Sequence, residues 1–100
     1  VHPGAILLEE FIEPLGLTQR TVAASIDVPE WLVDELVRGR RRVDAETALR
    51  LGRYLGTTAE FWMHLQGYFD LELERGALAA ALSAIVPLRR GPVAASGPQA

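Results

Sequence analysis

The stretch TQRTVAASIDVPEWLVDELVRG, Thr18–Gly39, decides the fold. It holds two short helical patterns separated by a break of few residues. Thr18 is a plausible N-cap, because its hydroxyl can accept from a free first-turn N–H. It opens a helix over 19–26 in which Val22 and Ile26 are four apart and point inward, with small Ala23 between them. Asp27-Val28-Pro29 interrupts that run. A second helix is predicted over 29–38, with proline in its first turn, where a missing N–H costs little. Val33, Leu36 and Val37 form its core stripe, and Gly39 closes it. Two short helices crossing over a small residue have the spacing of a helix-turn-helix. Such a unit lays the start of its second helix in the DNA major groove.

The flanks supply the rest of a bundle. Upstream, Leu7, Leu8, Phe11, Ile12 and Leu15 recur at steps of three and four, so a helix is predicted from Pro3-Gly4 to Gly16. Downstream, Asp44 caps a helix near 45–55 with Ala48, Leu51 and Leu55 inward. Thr57 or Thr58 caps the next, which carries Phe61, Trp62, Leu65 and Phe69; Thr57 with Glu60 has the capping-box spacing. Gly67 and Gly76 leave open whether the run to Val86 is one helix or two. A second apolar stripe, Leu71, Leu78, Leu82 and Ile85, either folds back or pairs with its copy in a dimer, and the dimer is favoured. No segment reads as a strand. The expectation is an all-α fold: residues 1–67 a five-helix helix-turn-helix domain, 68–90 a helical extension serving dimerisation, and 91–100 a flexible tail.

One hundred residues suffice for one core and exclude a second domain. There is no cysteine, hence no disulfide, thiolate metal site or thiol nucleophile. No apolar run reaches the ~18–20 residues of a membrane helix. No basic region followed by an apolar stretch marks a signal peptide, so a cytoplasmic location is expected. The net charge is −3, yet between residues 38 and 53 Arg38, Arg40, Arg41, Arg42, Arg50 and Arg53 face only Asp44 and Glu46. This local basic patch lies directly behind the second helix of the motif. Arginine forks onto phosphate and stacks on bases. His2 and His64 have no carboxylate or cysteine partners at metal-ligand spacing. No metal, cofactor, small-molecule substrate or catalytic residue is expected, and the chain does not read as an enzyme.

Several segments together resemble a known family. They are His2-Pro3-Gly4, Leu7-Leu8-Glu9-Glu10-Phe11, Glu13-Pro14-Leu15-Gly16-Leu17, Val28-Pro29 and Glu35-Leu36-Val37-Arg38-Gly39-Arg40-Arg41. Thr47-Ala48-Leu49-Arg50-Leu51, Gly56-Thr57, Glu60-Phe61-Trp62 and Leu65-Gln66 continue the series. In order and without gaps, they resemble the HigA family of type II antitoxins, a branch of the Xre/lambda-repressor-like DNA-binding domains. The resemblance implies a homodimer that represses its own operon by binding a palindromic operator. It also implies binding and neutralising a HigB-like toxin, a RelE-like mRNA interferase. By it, Gln19 and Arg20 match the phosphate-contacting start of the first motif helix. Glu30, Trp31 and Glu35 face the bases, and Arg38, Arg40, Arg41 and Arg42 form the basic closing loop.

The departure is at 30–34, which reads Glu-Trp-Leu-Val-Asp where relatives often place small, basic or amide residues. A glutamate can only accept, for example from cytosine N4, while Trp31 and Leu32 can touch thymine methyls. Two further readings therefore stay open: a stand-alone Xre-type regulator, and an interaction module that has lost DNA binding. The toxin-binding face is unknown from sequence; Glu9, Glu10 and Glu13 are candidates because they make residues 1–17 acidic.

Overall fold

A computed structural model describes residues 1–89. The sequence-expected tail at 91–100 lies outside the described residues. Six α-helices and one π-helical stretch build the fold, and no strand occurs among the described residues.

Helix α1 (Pro3–Ile6) begins at His2, whose ring Nδ1 accepts from the Gly4 N–H at 2.9 Å. It runs on directly into a π-helical stretch (Leu7–Ile12). The wider turn puts Leu7 and Ile12, five apart, into the core together, while Glu9 and Glu10 face solvent. The helical run stops at Ile12, two residues ahead of Pro14, so Leu15 falls in the following turn and is 62% exposed. The three-and-four spacing had placed Leu15 on the inward stripe. That spacing assumed a continuous α-helix, which the π register and the proline do not permit.

The motif follows. Helix α2 (Gln19–Ile26) starts at Thr18, whose hydroxyl accepts from the Thr21 N–H at 3.0 Å. It ends at Asp27, which adopts the left-handed conformation with φ 60°. Helix α3 (Glu30–Val37) follows Pro29 and buries Val33 and Leu36 completely. Helix α4 (Ala45–Leu55) is capped by Asp44, which accepts from the Thr47 N–H at 2.8 Å.

Helix α5 (Ala59–Ala77) is capped by Thr58 rather than Thr57. Thr57 is used otherwise: its hydroxyl accepts from the indole N–H of the fully buried Trp62 at 2.7 Å. The aromatic ring of Phe11 packs 5.4 Å from that indole. Phe61 stands edge-on to Trp62 but remains 37% exposed. The helix passes through Gly67 without a break. A short kink at Leu78 separates it from α6 (Ala79–Ser83).

Burial of Leu7, Ile12, Val22, Ile26, Val33, Leu36, Val43, Leu51 and Trp62 defines one core shared by α1 to α5. Burying one such side chain contributes roughly 1.5–3 kcal/mol. Gly4 permits the tightest approach in this core. A Cβ there would lie 1.6 Å from the carbonyl oxygen of Leu36, so α1 rests on the backbone of α3. The extension does not fold back. Leu71, Leu78, Leu82 and Ile85 are 52%, 43%, 47% and 64% exposed. The molecule is accordingly long in one direction, 54 × 26 × 22 Å.

Candidate nucleic-acid interface

The start of α2 and the outer face of α3 present the side chains that the sequence singled out. Gln19 is half-buried and Arg20 exposed in the first turn of α2. There the unbonded N–H groups and the helix dipole favour an anion. On α3, Glu30 and Trp31 project outward, Trp31 being 55% exposed. Leu32 instead packs partly against the core. Asp34 and Glu35 are half-buried one turn further on.

The basic loop leaves α3 through Gly39, whose φ of 73° turns the chain in a conformation that side chains other than glycine avoid. Arg38, Arg41 and Arg42 are not free cations. Arg38 Nε donates to Asp34 Oδ2 at 2.8 Å, an i,i+4 pair on one helix face. Arg41 Nε donates to Glu35 Oε1 at 3.0 Å, and its guanidinium lies 5.2 Å from the centre of the Trp31 ring. Arg42 turns to Asp70 on α5. Among the described residues, Arg20 and Arg40 have no carboxylate within ion-pair distance.

Exposed pairs of this kind are worth about 0–1 kcal/mol, so a phosphate can replace the carboxylate. Each replacement still returns less than a phosphate contact made by a free arginine. Sequence reading saw a patch of bare positive charge. The structure shows one already partly neutralised by acids of α3 and α5. Arg50 leaves the patch altogether: it donates to the carbonyl oxygen of Ile26 at 2.8 Å, closing the C-terminal end of α2, and pairs with Glu46.

One structural residue behind the loop was marked in the sequence only as part of the resembling segment Leu65-Gln66, with no role attached to it. Gln66 of α5 is buried, with 1% of its surface exposed. Its carbonyl oxygen accepts from the Val43 N–H at 2.7 Å, and its amide donates to Asp70 Oδ1 at 2.9 Å. Hydrogen bonds from Gln66, and then from Arg42, hold the Asp70 carboxyl below its ordinary range. The chain Val43–Gln66–Asp70–Arg42 thus ties the basic loop to α5. His2 touches the other side of that loop, since a Cβ at Gly39 would lie 3.7 Å from its ring. It also stands edge-on to Phe69 at 4.9 Å. Burial pushes the His2 imidazole below its usual pKa, against the pull of Asp70.

Glu9, Glu10 and Glu13 are exposed on the π-helical stretch and the turn after it. A groove of about 530 Å³ lies between the end of α2 and α4, beside Asp27, Arg50, Arg53 and Tyr54. It contains none of the expected DNA-contacting residues. No cluster of side chains suited to hold a metal ion occurs among the described residues. No helix among them is long and apolar enough to cross a membrane.

The helix-turn-helix family model matches residues 8–62. Virulence-associated protein I of Dichelobacter nodosus is 41% identical over 73 residues, covering 73% of this chain and 68% of that protein. Antitoxin HigA-1 of Vibrio cholerae is 37% identical over 71 residues, covering 71% of this chain and 67% of that protein. Among solved structures, the Pseudomonas aeruginosa antitoxin HigA with the higBA promoter superposes with a TM-score of 0.85 at 36% identity, covering 89% of this chain and 98% of that one. With its motif helices, capped ends and outward-facing α3 arranged in this way, the chain belongs to the HigA antitoxin family of helix-turn-helix DNA-binding proteins.

Proposed function

We propose that this protein is an antitoxin that binds operator DNA as a homodimer, represses its own operon, and neutralises a HigB-like, RelE-type toxin. The observation that carries the reading is the likeness, over 89% of the chain, to a HigA antitoxin with its promoter. The outward face of α2 and α3 supports it further. In this reading Gln19, Arg20 and Arg40 hold phosphates, and Arg38 exchanges Asp34 for one. The bases lie against the tip of α3 at Glu30 and Trp31. The exposed stripe Leu71, Leu78, Leu82 and Ile85 joins two protomers. A twofold pair then offers its α3 helices to successive major grooves, ~34 Å apart. The exposed acids Glu9, Glu10 and Glu13 attract a cationic toxin.

The decisive experiment is fluorescence anisotropy against the protein's own upstream DNA and a scrambled duplex, at several salt concentrations. Tight binding to the first alone, weakening with salt, is the expected result. Equal and weak binding to both would refute it. That outcome would favour an interaction module, a reading supported by the Asp34–Arg38 and Glu35–Arg41 pairs. Neutralisation is tested by co-expression with a toxin-like reading frame where one adjoins the gene; a stand-alone regulator has no such neighbour or gives no rescue of growth. Charge reversal at Glu9, Glu10 and Glu13 is expected to weaken toxin capture, and unchanged affinity would remove them from that face.

A further inference from the structure

Trp31, Glu35 and Arg41 are fastened to one another on the outward face of α3. Trp31 and Glu35 are one helical turn apart and share that face. Arg41 returns to it from the loop, stacked 5.2 Å over the indole and hydrogen-bonded through Nε to Glu35 at 3.0 Å. Its neighbours behave otherwise. Arg38 stays on its own helix turn, and Arg42 is drawn away to α5. A phosphate contact needs positive charge near the backbone and tolerates a mobile side chain. Arg41 is instead held from two sides, by an indole face and a carboxylate, which biases its fork towards one pose before any ligand arrives.

The pose leaves one part of the fork unused. Nε is engaged by Glu35, whereas Nη1 and Nη2 make no hydrogen bond among the described residues. Two parallel N–H donors fit a base edge that offers two adjacent acceptors. In the major groove that edge is O6 and N7 of guanine.

Resting on the operator-binding reading, we infer that Arg41 is a specificity-determining residue that reads a guanine in each half-site. Trp31 and Glu35 are the positioning residues that aim it. This changes two sequence expectations: Arg41 moves from the phosphate set to the base-reading set, and Glu35 from base contact to buttress. It also gives the acidic α3 face a use, since Glu35 orients the fork that a bare groove-facing acid would only repel from DNA.

The test is selection of bound sites from a randomised duplex library, followed by sequencing, with the wild-type protein and Arg41→Ala, Arg41→Lys, Glu35→Gln and Glu35→Ala. The wild type is expected to enrich half-sites with one fixed guanine. Arg41→Ala loses the preference at that position alone, and affinity for the best site falls roughly 5- to 150-fold; Arg41→Lys, which has no Nε to pair with Glu35, weakens the preference without abolishing it. Glu35→Gln keeps an acceptor for Nε and retains the preference, while Glu35→Ala loses it. The inference is overturned if Arg41→Ala weakens all sequences equally and lowers the salt dependence by about one phosphate, for Arg41 is then a backbone contact. It is overturned equally if Glu35→Ala leaves the guanine preference intact. Failure of the wild type to enrich any sequence would refute operator binding itself, a result distinct from both.

Discussion

Replacing Gln66 by leucine isolates the link between the basic loop and α5. The side chains are similar in volume, and the position is 1% exposed, so packing changes little. Two hydrogen bonds disappear: the 2.7 Å bond from Val43 N–H and the 2.9 Å bond to Asp70. The first loss dominates. Val43 is itself buried, and a buried N–H without a partner costs ~1–3 kcal/mol. The bond to Asp70 adds little, because Asp70 keeps Arg42 and reaches solvent. Greater apolar burial by leucine offsets a fraction. The expected net destabilisation is about 2 kcal/mol. For a domain of this size that lowers Tm by roughly 8–16 °C. Circular dichroism at 222 nm, during heating and urea titration, measures it at matched protein concentration, since self-association would otherwise shift the midpoint. Gln66→Glu keeps the acceptor for Val43 but sets a second carboxylate beside Asp70, so it should destabilise as well, and increasingly above the carboxylate range. A loss under ~0.5 kcal/mol for Gln66→Leu would refute the reasoning, because the loop would then satisfy Val43 by rearranging.

Other outcomes follow from single contacts. Gly4→Ala drives a Cβ into the Leu36 carbonyl at 1.6 Å, between two backbones that cannot yield cheaply. It should cost ~3 kcal/mol or more, and a folded, wild-type-like melt would show that α1 is free to move. Asp27→Gly relieves a left-handed residue at φ 60° and should raise stability by ~0.5–1 kcal/mol in urea titration. Asp34→Asn frees Arg38 and should tighten binding to specific and scrambled duplexes alike, several-fold, in low-salt anisotropy. The hydrogen bond from the Thr47 N–H holds the Asp44 carboxyl below its ordinary value of 3.8. A carboxyl lowered in the folded state lends stability above that value and loses it as pH falls through the folded pKa. Asp44→Asn keeps the cap without the charge, so its acid-unfolding curve should be flatter below pH ~4 than that of the wild type.

The motif was legible because its signals are local. Thr18, Asp44 and the Val22/Ile26 and Val33/Leu36 spacings depend only on residues within one or two turns, and each sits where periodicity put it. The Asp34–Arg38 pair was open to the same reasoning, as charges four apart on a helix. What the sequence hid is non-local. Arg42 meets Asp70 across 28 positions, and Arg50 caps Ile26 across 24. A count of charges within a window cannot show that an acid from another helix has already met Arg42. The π stretch was hidden for a different reason. The steps of three and four among Leu7, Leu8, Phe11 and Ile12 fit an α-helix equally well, and the contacts of Phe11 with Phe61 and Trp62 of α5 lie about fifty positions away, beyond the reach of local spacing.

Helix α5 is both the floor of the core and the stem of the extension. Trp62 and Gln66 anchor its first half, and Leu71, the first residue of the apolar stripe, rides on its second half, along a rod about 28 Å long; Leu78, Leu82 and Ile85 follow at and beyond the kink. In the proposed dimer the angular setting of the two reading heads then follows the phase of α5 together with the turn at Leu78. Inserting a single residue after Asp70 would swing the stripe about its axis by ~100° while leaving each head intact. Such a chain would keep its half-site and lose its palindrome: the gearing between the two ends, not the binding surface at either, would have slipped.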